Sequence, residues 1–202
     1  LAVDRVVTAC AQRGVKTLSL YAFSTENWRR PPHEVKVLME LIEAALREEA
    51  AKMQRNDIRL RVLGDRLPLS GSLRDAIDAA EILTAACSRM DVVLAINYSG
   101  QWALIETARR LAQAAAAGEI APAALDEQTF ATYRPMPDLP PVDLLIRSSG
   151  EMRLSNFHLW ELAYAELWFT DVLWPDFGEA QLDAAFAAYH HRDRRFGALS
   201  HS

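Results

Sequence analysis

Val92-Val93-Leu94-Ala95-Ile96 is the stretch whose reading decides the fold of this chain. Five apolar residues in succession leave no wet face, which is the pattern of a strand covered on both sides at the centre of a parallel sheet. The run empties into Asn97-Tyr98-Ser99-Gly100, a polar exit loop. Outward from it, strand and helix patterns alternate in both directions. Upstream, a helix from about Ser70 to Cys87 carries Leu73, Ile77, Ala80 and Leu83 on one side. Downstream, an alanine-rich helix covers roughly 101–117 and stops at Gly118.

Ile58-Arg59-Leu60-Arg61-Val62-Leu63 alternates, so it reads as a strand with one wet face, ended by Gly64-Asp65. Before it lies a long helix, opened by Pro31-Pro32 and running from Glu34 to about Lys52. Its stripe is Val35, Leu38, Met39, Ile42, Ala45 and Leu46, widened by Val37 and Leu41. Core packing explains most of that apolar circumference, and a greasy channel beside the helix would explain the rest. Thr17–Phe23 is a further strand, and residues 1–13 form a helix ended by Gly14.

The second half is more broken. Residues 119–141 hold Pro122, Pro135, Pro137, Pro140 and Pro141, read as a short helix near 126–133 followed by an extended linker. Val142–Ile146 is a buried strand, Phe157–Leu162 a short helix and Ala163–Phe169 a strand with Glu166 inside it. Thr170–Phe177 is an aromatic turn, and a last helix begins near Glu179. The alternation predicts one α/β domain over residues 1–202 with a mainly parallel sheet. No repeat is visible, and the proline-rich stretch at 135–141 is too short to separate two cores.

Bulk properties exclude several classes. The 202 residues suffice for one domain, and 50% apolar with 24% charged content is ordinary globular composition. A net charge of −5 disfavours a general nucleic-acid role, so any anion site must be a local basic patch. Cys10 and Cys87 lie far apart in apolar settings, which fits packing in a reducing compartment. No apolar run reaches the ~18 residues that span a bilayer, and no signal-peptide pattern is read. The first residues begin mid-helix without an N-cap, so the natural protein is expected to extend upstream of Leu1.

Ligands of open parallel sheets bind beyond the carboxyl ends of the strands. Polar groups fall there repeatedly: Ser24 to Arg30, Asp65, Asn97, and Arg147 to Ser155. The last loop, Arg147-Ser148-Ser149-Gly150-Glu151-Met152-Arg153-Leu154-Ser155-Asn156-Phe157, packs two arginines, three serines and a glycine into eleven residues. Guanidinium forks, hydroxyls and free backbone N–H groups suit a phosphate or diphosphate. Alone, the loop fits an exposed turn with solvated arginines equally well. With the other loops, it points to an anion site built from Arg30, Arg147, Arg153 and Ser155. Glu166, a carboxylate in an apolar strand, needs a cation, a metal or a proton. A salt bridge to an arginine is the plain reading, and Mg²⁺ beside a diphosphate is the alternative. His158 reads as a packed histidine, His190-His191 lack the cluster of a zinc site, and Trp160, Trp168 and Trp174 read as core or interface residues. Walker, GxGxxG and GxSxG patterns are absent from the sequence.

Four stretches carry a resemblance: Tyr21–Pro31, Asn97-Tyr98 with Gly100, Ile146–Phe157 and Tyr164–Phe177. Together they resemble the cis-prenyltransferases, and within them the bacterial undecaprenyl diphosphate synthases. The resemblance covers nearly the whole chain. It implies a six-stranded, mostly parallel sheet with flanking helices, a hydrophobic tunnel walled by the sheet and the long helix, and a homodimer. It implies Mg²⁺-dependent condensation of isopentenyl diphosphate onto farnesyl diphosphate, adding cis units to make a cell-wall lipid precursor. Arg147, Arg153 and Ser155 would hold the isopentenyl diphosphate, and Glu166 would be the metal-associated glutamate. Asn27, Trp28 and Arg30 would organise the allylic substrate and position the reacting groups, with Ser24 and Glu34 beside them. Arg195-Phe196-Gly197 would complete the site across the dimer.

The resemblance places the enzyme in the cytoplasm, with a peripheral membrane contact for product release as a further expectation. The family's catalytic aspartate, on an Asp-Gly-Asn-Gly-Arg-Trp-Ala loop, is expected upstream of Leu1. A chain that truly started at Leu1 would have little or no activity. Ser99 and Gln101 stand where the family usually has Gly and Arg. Ala22, Ala44 and Ala45 are small where a bulky residue could block the tunnel, and Leu46–Asn56 shows no insertion, so a C55-like product is expected. The competing reading is a non-catalytic subunit of a heterodimer, against which the retained arginines count.

Overall fold

The computed structural model describes residues 2–192 of the 202. The described residues group into two compact units. One spans Arg13–Asp138, and the other holds the described residues before Arg13 together with those from Leu139 on. The division at Asp138 falls inside the proline-rich stretch.

The first unit is built on a three-stranded parallel sheet of β1 (Thr17–Ser24), β2 (Ile58–Leu63) and β3 (Met90–Tyr98), in the order β1-β3-β2. β3 is central, as its apolar run requires, and Val92, Val93 and Ala95 are all 0% exposed. β2 keeps its predicted alternation. Ile58, Leu60 and Val62 are buried, while Arg59 and Arg61 occupy the other face. That wet face is a charge ladder. Arg59 grips Asp91 through two bonds of 2.8 and 2.6 Å, and Arg61 grips Asp138 through two of 2.7 Å. The Arg61 guanidinium holds the Asp138 carboxyl below the usual carboxylate range.

Helix α2 (Pro32–Arg55) connects β1 to β2 and α3 (Gly71–Thr84) connects β2 to β3, while α4 (Gly100–Ala116) leaves β3 and α5 (Glu127–Thr132) follows. Pro at the first turn opens α2, and Ser70 and Ser99 cap α3 and α4 through their hydroxyls. α2 packs on α3 and β2 through Val35, Leu46, Ala50 and Met53. The extra apolar residues Val37 and Leu41 stay 52% and 61% exposed. They are therefore not core, and they leave a greasy flank on this helix.

The second unit contains α1 (Ala2–Gln12), the parallel pair β4 (Leu144–Arg147) and β5 (Glu166–Phe169), and α6 (Glu179–His190). α1 packs on α6 through an apolar stripe that buries Val6, Val7 and Cys10, and the Arg5 guanidinium donates to Pro175 O at 2.7 Å. No helix among the described residues is long and apolar enough to cross a membrane.

Three expectations are corrected. The described residues form five strands in two sheets, three and two, and not one sheet of six. Phe157–Leu162 is turn structure and not a helix, because Ser155, Asn156 and His158 adopt positive φ values of 49°, 61° and 43°. Left-handed residues break the repeat that a helix needs. The strand expected at Ala163–Phe169 is confined to Glu166–Phe169.

Gly64 sits where β2 ends, with φ +143°, and a Cβ there would lie 1.9 Å from Ile96 O. Only glycine permits this backbone approach between the exits of β2 and β3. Gly64→Ala should cost about 3 kcal/mol or more through strain and clash. Urea unfolding should show a lower midpoint with an unchanged slope, and a midpoint at the wild-type position would contradict the approach described.

Candidate active site

The polar exit of the first sheet begins with an irregularity in register. Tyr21 pairs with Ala95, Phe23 with Ile96 and Ser24 with Tyr98, so Ala22 and Asn97 are skipped. Asn97 takes φ +50°, a conformation that asparagine tolerates better than most residues. It is 3% exposed, so its polar atoms need partners. Its Nδ2 donates to Asp65 O at 2.8 Å, and its Oδ1 accepts from Trp28 Nε1 at 2.7 Å. Asp65 N–H returns a bond to Asn97 O at 3.2 Å. One side chain thus ties together the loops that leave three strands.

Trp28 is held a second time, edge-to-face on buried Phe23, with ring centroids 5.3 Å apart and planes at 74°. It remains 41% exposed and forms one wall of an open recess of about 360 Å³ with Thr25, Asp65, Pro68, Asn97 and Trp102. Trp102 lies in the first turn of α4, where Ser99 Oγ accepts its N–H at 3.1 Å. Ser99 thus supplies the helix cap through its hydroxyl. Beside the recess, Tyr21 donates to Tyr98 O at 3.0 Å. Burial, then the Glu26 charge, pushes its phenol up to about 12, so it stays a neutral donor.

The loop after β1 is a 3₁₀ turn over Thr25–Arg29. Asn27 organises it: Oδ1 accepts Ser24 N–H at 2.9 Å, and its carbonyl accepts Arg30 N–H at 3.0 Å. Arg30 is exposed, and its guanidinium has no ion pair or hydrogen bond among the described residues. Ser24 and Trp28 flank Asn27 in the same turn, and Glu34 follows in the first turn of α2.

The second unit carries the arginine loop. Ser149 and Gly150 both take φ +71°, which turns their N–H groups onto Val172 O and Thr170 O, each at 2.9 Å. This pins the loop beyond the end of β5. Arg147 Nη1 then donates to Arg153 O at 2.9 Å and to Ser155 Oγ at 2.7 Å. The structure thus brings Arg147, Arg153 and Ser155 together, and a fourth group stands with them. The Glu151 carboxylate bonds Arg147 through one oxygen and lies 2.5 Å from Arg153 Nη2 through the other. The Arg147 bond, with Arg153 beside it, holds the Glu151 carboxyl below the usual carboxylate range. An internal anion therefore spans the two guanidinium groups.

Glu166 lies elsewhere on the same strand pair. It opens β5 opposite Leu144, whereas Arg147 closes β4 opposite Phe169. Three residues of strand separate the two levels, roughly 10 Å. Its carboxylate bonds the Arg192 guanidinium, which also donates to Leu167 O at 3.2 Å. The salt bridge to an arginine is thus realised. No cluster of three metal-ligating side chains occurs among the described residues. A single carboxylate matches the habit of Mg²⁺, which takes one or two protein carboxylates and completes its shell from substrate phosphate. His158 is buried at 2% exposure, with Nδ1 3.4 Å from Glu161 Oε2, as a packed histidine should be. Arg195-Phe196-Gly197 lies outside the described residues.

Sequence reasoning missed two residues. Asn97 was legible only as part of an exit loop, although a buried asparagine next to the end of a largely apolar strand must spend its amide on something. Glu151 stood in the quoted motif without a role, and the only signal was a carboxylate lying between two arginines on one loop.

Comparison with known proteins bears on the whole chain. A family model described as "putative undecaprenyl diphosphate synthase" matches residues 1–197. The chain is 48% identical over 196 residues to the farnesyl-diphosphate-specific ditrans,polycis-undecaprenyl-diphosphate synthase of Vibrio cholerae, covering 97% of this chain and 78% of that protein. It is 45% identical to the Escherichia coli K12 protein of the same description, covering 96% and 77%. Among solved structures, it resembles lavandulyl diphosphate synthase from Lavandula x intermedia in complex with dimethylallyl diphosphate. There the TM-score is 0.93 and the identity 38%, covering 97% of this chain and 85% of that one.

The internal pairing of Glu151 has a direct consequence. Glu151→Gln removes a competitor from the two arginines and should tighten binding of inorganic diphosphate severalfold in calorimetric titration. Weaker or unchanged binding would show that Glu151 helps to build the anion cradle and does not stand in for the anion.

Proposed function

The chain belongs to the undecaprenyl diphosphate synthase family of cis-prenyltransferases, and on that premise we propose that it condenses isopentenyl diphosphate onto farnesyl diphosphate. Repeated cis addition would give a long polyprenyl diphosphate of C55-like length. The observation that carries the reading is the Arg147–Ser155–Arg153 cradle, whose two guanidinium groups are spanned by a carboxylate as they would be by a phosphate. Retention of that cradle also speaks against a non-catalytic partner subunit.

In the proposed chemistry, the allylic C–O bond breaks and its diphosphate departs with the bonding electrons. The isopentenyl double bond attacks the allylic carbon, and a proton is then lost to form the new double bond. Arg147, Arg153 and Ser155 hold the isopentenyl diphosphate, with the fork fixing its orientation. Asn27 keeps the 24–30 turn in shape, while Trp28 and Arg30 serve the allylic partner. Fixing the two substrates at reacting distance lowers the barrier by removing translational freedom. Glu166 would hold Mg²⁺ in exchange for Arg192, with diphosphate oxygens completing the shell. An ion held by Glu166 would supply positive charge to offset that of a departing diphosphate. The exposed flank of Val37 and Leu41 on α2 is apolar surface for the growing chain, and each buried CH₂ contributes about 0.8 kcal/mol. The single-domain organisation, the homodimer completed by Arg195-Phe196-Gly197, the cytoplasmic location and the peripheral membrane contact for product release belong to this proposal. So does the catalytic aspartate upstream of Leu1.

Full-length protein incubated with labelled isopentenyl diphosphate, farnesyl diphosphate and Mg²⁺ should yield labelled long-chain product, and its absence removes the proposal. In the same assay, Arg147→Ala should raise KM for isopentenyl diphosphate at least about 10-fold, as expected for loss of a charge-assisted bond. An unchanged KM would mean that this substrate sits elsewhere. Glu166→Gln should move the Mg²⁺ dependence to higher concentration, and an unmoved metal titration would sink its role as a ligand.

A further inference from the structure

We propose that Asn97 is a positioning residue for the reaction, acting through Trp28. The inference rests on the functional reading above, in which Trp28 faces the allylic substrate. Indoles at a site mouth are commonly mobile, and ordering one costs side-chain entropy on binding. Here that cost is met in the free protein. The Trp28 indole is clamped by a 2.7 Å hydrogen bond from its Nε1 to Asn97 Oδ1 and by the Phe23 edge at 5.3 Å, yet its outer surface stays open to the recess.

Asn97 is itself held on both sides. Its amide nitrogen bonds Asp65 O, and its carbonyl accepts Asp65 N–H. The approach that makes these bonds possible exists because Gly64 has no Cβ to strike Ile96 O. The irregular register at Phe23 and Ser24 turns Asn97 out of the ladder, so that its amide serves the loops and not the sheet. Few side chains replace it. Leucine or alanine at φ +50° is strained, aspartate has no donor for Asp65 O, and glutamine is a methylene too long for the 2.8 and 2.7 Å bonds. The chain from Gly64 through Asp65 and Asn97 to Trp28 transmits the rigid geometry of the buried sheet to an exposed aromatic wall.

The test uses full-length protein labelled with 5-fluorotryptophan. Trp28→Phe assigns the Trp28 fluorine resonance and removes the N–H donor. Asn97→Gly tolerates the left-handed backbone and removes only the amide. In Asn97→Gly the Trp28 resonance should shift before any substrate is added. The kcat/KM for farnesyl diphosphate should fall roughly fivefold to tenfold, the order expected for one lost hydrogen bond, while KM for isopentenyl diphosphate stays within about twofold. The double variant should be no worse than the worse single variant, since both remove the same interaction. The proposal is overturned by an unmoved Trp28 resonance, by losses that add, or by kinetics that stay at wild type while the thermal midpoint falls. Should Asn97→Gly not fold, hydrogen exchange of the Trp28 indole N–H in the wild type decides: slow exchange supports the clamp and solvent-rate exchange overturns it. If the wild type itself transfers no prenyl group, the functional reading fails. The fluorine and exchange measurements then still report on the clamp.

Discussion

The burial of β3 on both faces is the constraint from which the recess follows. A strand with Val92, Val93 and Ala95 at zero exposure stays buried through its exit, where Ile96, Asn97 and Tyr98 are 1%, 3% and 0% exposed. Polar groups at its exit must therefore be satisfied by protein, because an unpaired buried amide costs on the order of 1–3 kcal/mol. Asn97 meets that demand by bonding Asp65 and Trp28 at once. The polar cluster beyond the sheet is thus where the core's hydrogen-bond accounting closes, and the same bonds fix the loops that a ligand would meet.

The arginine loop obeys a different rule. There the backbone is held by neighbours, with Ser149 and Gly150 bonded to the segment after β5, and the side chains are left near solvent. Two guanidinium groups close to one another repel, and Glu151 offsets that repulsion from within the loop. The loop therefore keeps its shape without an external anion.

Much of the first unit was legible in the sequence because its signals are periodic. The apolar run of β3, the alternation of β2 and the stripe of α2 are strong local signals, and these three elements formed where they were expected. The second unit was read less well. Phe157–Leu162 has helical composition, but three residues between Ser155 and His158 adopt left-handed backbone, which no propensity for Leu, Trp or Glu reveals. The strand count is another matter: the residue patterns placed five strands, including those that became β4 and β5, and the sixth was implied only by the resemblance. The motif placed Arg147, Arg153 and Ser155 on one loop, but the Glu151 carboxylate that pairs with both arginines was not anticipated. The pairing of Glu166 with Arg192 and the bridge from Asn97 to Trp28 depend on chain segments 26 and 69 residues apart, and no local pattern announces them.

The carboxylate of Glu151 also sets a threshold. Because it is tethered, it competes at a high effective concentration, millimolar or above, against anything that approaches the two arginines. Chloride or a singly charged carboxylate from solution brings no more charge than the group already in place and pays its own loss of freedom. A diphosphate brings several charges and enough oxygens to engage both guanidinium forks and the Ser155 hydroxyl together. If diphosphate binds here as proposed, the internal carboxylate makes valence the criterion that an incoming anion must meet.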